Sequence, residues 1–127
     1  MNIYEMNKLR FDFMKRIFEI SEFNTTKKID TETIGDNIGL DYETQTIILR
    51  YLRDEGLIKF LGENGSISCI TDKGILEMEK SLKNESSEHF QPQILIYNLY
   101  NSNNNNLTTN SINTNINVND NVNEIKK

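Results

Sequence analysis

The chain has 127 residues, a mass of 14.8 kDa, a net charge of −5 and a pI of about 4.9, which suggests one small domain with an appendage and argues against a generally basic, nucleic-acid-coating surface. One cysteine, Cys69, and one histidine, His89, rule out an intramolecular disulfide, a cysteine zinc cluster, a multi-histidine metal site and a catalytic triad needing a second histidine. Hydrophobic residues make up 36% of the whole, below the roughly 45% of a globular domain, and the deficit lies in asparagine-rich sequence from Asn84 onward. No apolar run approaches the ~20 residues of a membrane span. Met1–Glu5 lacks the basic start and apolar stretch of a signal peptide. The expectation is a cytoplasmic protein with no membrane partner, no cofactor, no metal and no enzymatic activity.

The first element is a helix over residues 3–22. Leu9, Phe13, Ile17 and Ile20 recur at spacings of three and four, and Phe11, Met14 and Phe18 form a second, adjacent stripe. Two stripes suit a central helix in a small bundle. If the rest of the domain covers only the first stripe, the second is too apolar to leave in water, and a homo-dimer through this helix is expected. Asn24–Lys28 is a polar connection. Thr31 is placed to cap a short helix over 31–38, with Ile34 and Ile38 inward and Gly39 able to end it in the left-handed conformation. Asp41 is a good cap for a helix over 41–55, and Glu43 adds negative charge near its amide end. Gln45, Ile48, Leu49 and Leu52 define its inward face, and Gly56 closes it.

The period then changes. Leu57–Leu61 is β-rich, Gly62–Gly65 holds the turn dipeptide Asn64-Gly65, and Ser66–Ile70 alternates as a returning strand. Cys69 falls in that strand, where it reads as a small residue of no chemical role. Thr71 caps a last helix through about Leu82, with Ile75, Met78 and Leu82 inward. The carboxylates Asp54-Glu55 and Glu77/Glu79 read as solvated helix surface, since close neighbours along a helix do not face each other. Residues 84–93 read as a charged linker and 94–127 as an Asn-rich low-complexity tail. The tail opens with the apolar run Ile94–Tyr100, expected to pair with the tail or with its copy in a second chain. From Ile112 to Glu124 asparagine occupies every odd position, the period of a strand with one amide face. The tail reads as a disordered polar extension, in which asparagine ladders of that kind would support β structure gained on self-association or partner binding.

The order helix, helix, turn, helix, hairpin, helix over roughly 8–83 resembles the winged helix-turn-helix family. Ile38-Gly39-Leu40-Asp41 is similar to the family's turn into its recognition helix. The stretch Leu49–Ile58 resembles its exit into the wing, and Ile70-Thr71-Asp72-Lys73-Gly74 its step from wing to last helix. The resemblance implies a mainly α fold with a small β-hairpin, a domain over 3–83, and double-stranded DNA as partner. It implies that the helix 41–55 enters the major groove while the hairpin reaches the backbone. With Ile48 and Leu52 buried, about 100° per residue turns Glu43, Thr46, Ile47, Arg50 and Asp54 outward, with Arg53 at the flank. Arg50 is then suited to a guanine edge, Thr46 to a base or phosphate, and Ile47 to a thymine methyl, with Lys59 and Asn64 on phosphates. The expected role is sequence-specific DNA binding as a small transcriptional regulator. Acidic neighbours on the same helix favour an alternative, a protein–protein adaptor that uses the same surface and assembles through the tail.

Overall fold

In the computed structural model, which describes residues 1–105, the first helix, α1 (Ile3–Ser21), begins at a reciprocal cap. The Asn2 side chain accepts from the Glu5 amide at 2.9 Å, and the Glu5 carboxylate accepts from the Asn2 amide at 2.9 Å. Phe11, Phe13, Met14 and Ile17 are wholly buried, and α1 packs against the three helices that follow it and against two of the three strands. Phe11 and Met14 therefore need no second copy to cover them. The stripe expected to lie bare is absorbed within one chain, because the helix is central and surrounded. Phe18 is half-buried, its ring edge-on to Phe23 at 5.4 Å. Leu9 and Ile20 are half-buried as well.

Three short strands and three helices follow: β1 (Ile29–Asp30), α2 (Thr31–Ile38), α3 (Tyr42–Asp54), β2 (Ile58–Phe60), β3 (Ile67–Ile70) and α4 (Asp72–Leu82). The strands form one antiparallel sheet in the order β1-β3-β2, with Ile29 opposite Ser68 and Lys59 opposite Cys69. β1 was not foreseen, and it moves the cap of α2 back by one residue. The Asp30 carboxylate accepts from the Thr33 amide at 3.2 Å and from its hydroxyl at 2.9 Å. Thr31 is instead the first helical residue, buried, with its hydroxyl donating to the Gly65 carbonyl and its amide to the Ser66 carbonyl at 3.0 Å. The start of α2 is thereby fastened to the end of the hairpin loop.

The α2–α3 turn closes on Gln45. Its side-chain amide donates to Asp36 at 3.1 Å and to the Leu40 carbonyl at 2.9 Å. A Cβ at Gly35 would fall 2.2 Å from Gln45 Cδ, so glycine is what lets the two helices close over this amide. Asp41 caps α3 as expected, accepting from the Thr44 amide at 2.8 Å. Ile48, Leu49 and Leu52 face inward with Gln45, and Ile34, Leu57, Ile58, Ile70 and Met78 complete the core around α1.

α4 is capped by Thr71 as expected, but Gly74, Glu77, Met78 and Ser81 are its buried residues, while Ile75 and Leu82 are only half-buried. A Cβ at residue 74 would meet the Leu57 carbonyl at 2.3 Å and the Met14 methyl at 2.8 Å, so glycine admits α1 and the β2 strand entry to close range. Glu77 is not solvated surface. Its carboxylate accepts from the His89 amide at 2.8 Å and lies 3.2 Å from His89 Nδ1, while His89 Nε2 is 2.8 Å from Glu55. Burial raises the Glu77 pKa, but the hydrogen bonds from the His89 amide, the Ser87 hydroxyl and the His89 ring outweigh it and hold the carboxyl below its ordinary value.

The segment 84–93 keeps Asn84–Ser86 and Glu88 exposed but is fastened to the domain at His89 and Phe90. Ser81 donates to the Gln91 carbonyl at 2.6 Å, and Phe90 is buried with its ring edge-on to Phe11 at 6.0 Å. The compact unit runs Met1–Ile96. The run from Ile94 is helical, not extended: it lies in α5 (Gln93–Asn105), whose Ile94 amide is capped by Asn84 at 3.1 Å. A second unit begins at Tyr97. The alternation over 112–124 lies outside the described residues. No described helix is long and apolar enough to cross a membrane.

Candidate nucleic-acid interface

With one side of α3 in the core, the other side carries the residues singled out from the sequence. Glu43, Ile47, Arg50 and Asp54 are exposed, and Thr46 is half-buried with its hydroxyl donating to the Tyr42 carbonyl at 2.9 Å. Arg50 makes no hydrogen bond or ion pair among the described residues. Arg53 is also exposed but is engaged. Its guanidinium is 2.9 Å from the Asp54 carboxylate and lies over the Phe60 ring at 4.7 Å. One arginine thus presents a free planar fork, and the other ties the last turn of α3 to β2.

The hairpin contributes Lys59, exposed on β2 between buried Ile58 and half-buried Phe60. Asn64 is exposed on the loop, where its side-chain oxygen accepts from the Ser66 amide at 3.0 Å and so shapes the turn. Thr46 and Asn64 line one shallow pocket together with Thr31, Glu32, Tyr42 and Ser66, so the structure brings the helix and the loop to one surface. Ile47 and Arg50 continue the α3 face, and Lys59 stands apart from that pocket. Tyr42 was missed by the sequence reading. It is 69% exposed at the first position of α3. Its signal is there in retrospect, since it follows the Asp41 cap and precedes Thr46 by four residues on the same helix.

The helix starts do not offer open anion sites. Hydrogen bonds from the Thr44 amide and hydroxyl hold Asp41 below the usual carboxylate range. The Thr33 hydroxyl and amide do the same for Asp30. Each carboxylate stays ionised and occupies the amide end of its own helix, where a phosphate would otherwise sit. Among the described residues, Glu77, Glu88 and His89 gather ligand-type atoms within 4.8 Å of one another. Their bonds to one another and to Glu55 make that cluster a strap for the 84–93 segment. Comparison of the chain with protein-family models, curated proteins and solved structures finds no match.

Proposed function

We propose that the chain is a winged helix-turn-helix module that binds duplex DNA sequence-specifically and acts as a small transcriptional regulator without enzymatic activity. In this reading α3 enters the major groove and the β2–β3 hairpin is the wing. The observation that carries it is Arg50: an exposed guanidinium at the middle of α3, free of internal partners among the described residues, with Thr46 and Ile47 on the same face. That set supplies a bidentate donor for a guanine edge, a hydroxyl, and an apolar contact for a thymine methyl. Lys59 and Asn64 are assigned to the backbone. Arg53 takes a lesser part, because Asp54 already neutralises it. Tyr42 joins the site as a further contact beside Thr46. The test is a gel shift of the purified chain on duplex from its own upstream region, across a range of salt. A shift that weakens with salt and withstands excess unrelated duplex supports the reading, and no shift at low salt contradicts it.

A second reading, a protein–protein adaptor on the same face, is favoured by one observation. Tyr42 and Ile47 expose 69% and 47% of their surfaces on the helix that also carries the exposed carboxylates of Glu43 and Asp54, and Leu61 and Ile67 are exposed on the hairpin. A partner with an apolar, basic surface would fit it. In that case the tail would supply the self-association. The homo-dimer through α1 loses its support, since Phe11 and Met14 are covered within the chain.

A further inference from the structure

A second cavity, of about 130 Å3, opens between α1, α3 and the segment that follows α4. Arg10 and Asn7 line it from α1, Tyr51 from α3, and His89 and Gln91 from the strap. The Arg10 guanidinium lies 3.9 Å over the Tyr51 ring, and its Nε is buried with no hydrogen-bond partner. Arginine is always charged, and a buried donor without an acceptor is costly. No carboxylate of the described residues pairs with it. Tyr51 does not neutralise it either: burial pushes the phenol pKa above its ordinary value, against the pull of Arg10, so the ring stays un-ionised. The other wall is apolar, made by buried Phe90 and Ile96.

We infer that this cavity is a binding site for a small aliphatic monocarboxylate, held by the terminal nitrogens of the Arg10 guanidinium with its short apolar body against Phe90 and Ile96. Two parallel N–H donors match the two oxygens of a carboxylate. The Asn7 and Gln91 amides are the neutral polar groups nearest to hand. The charge of the ligand is limited to one. Among the described residues Arg10 is the cation facing the cavity whose charge is unspent, because both ring nitrogens of His89 are taken by Glu55 and Glu77. Those two carboxylates set a negative field behind the histidine that disfavours a dianion such as phosphate. The volume is that of about four water molecules at ~30 Å3 each, room for a carboxylate on a two- to four-carbon chain. The inference does not depend on DNA binding.

The test is an NMR titration of the full chain with sodium butyrate at constant ionic strength, with inorganic phosphate as a parallel probe. Saturable shifts of the Asn7, Arg10, Tyr51 and Gln91 amides with butyrate, and none with phosphate, are expected. Arg10→Gln should weaken butyrate binding at least about tenfold. Arg10→Lys, which keeps the charge and loses the fork, should weaken it less and serves if Arg10→Gln does not fold. Absence of saturable shifts at tens of millimolar butyrate, or equal binding by a folded Arg10 variant, would overturn the site. Equal binding of phosphate would overturn the assigned ligand class.

Discussion

Arg50 and Arg53 stand three residues apart on one helix and have opposite fates. Arg53 is held by Asp54 and Phe60, while Arg50 reaches solvent unpaired among the described residues. If α3 reads DNA, Arg50→Ala should lower specific affinity by ~1–3 kcal/mol and relax discrimination at one base position. Arg53→Ala should cost less in binding. Fluorescence anisotropy on one duplex with each variant separates the two. Inside the helix the logic is packing. Leu52 has no exposed surface, so Leu52→Ala should destabilise the domain by ~2–5 kcal/mol in denaturant titration. Gly74→Ala should also destabilise, by ~1–3 kcal/mol, because the atom that its Cβ meets at 2.3 Å is the Leu57 backbone carbonyl, which cannot swing away.

At the scale of elements, the 84–93 strap depends on one buried carboxylate. Glu77 has a folded-state pKa below its ordinary value, so its contribution is fully present above about pH 4.3 and is lost as pH falls through the folded value. Glu77→Gln should be less stable than wild type at neutral pH, and the difference should shrink as pH falls below the ordinary carboxylate range. Urea midpoints across that range check it, and a constant difference would mean that the carboxylate's charge is not what holds the strap. This element also marks where sequence reading stopped. The α2–turn–α3 pair was legible because its signals are local: the Asp41 cap, Gly39 at the end of α2, and apolar spacing through Leu52. The buried face of α4 was not, because apolar residues were sought at Ile75 and Leu82. Met78 faces inward as expected, but beside it lie two small residues, Gly74 and Ser81, and a carboxylate whose partner is twelve residues on. β1 is two residues long and exists only through pairing with β3. The candidate site was legible in its helix phase. What could not be read was that Arg53 is spent on Asp54 and Phe60, a contact that requires the hairpin to be folded back.

For the whole molecule the deciding quantity is charge. The chain carries −5, and the α3 and hairpin residues of the candidate interface offer Arg50, unpaired among the described residues, the engaged Arg53, and Lys59. Affinity for DNA must then come from base contacts more than from phosphate neutralisation. The dependence of log K on log salt should be shallow, with a slope of about −1 to −2, the value for Lys59 and at most one further cation on phosphates. A slope several times steeper would place the interface on another, more basic surface. The claim that most needs testing is that the folded chain selects duplex sequence at all. Selection of the purified protein against a randomised duplex pool, followed by sequencing, reads this directly. The account predicts a short enriched motif for wild type that loses definition at one position in Arg50→Ala. An unenriched pool after several rounds at low salt would contradict it and leave the adaptor reading of the same face.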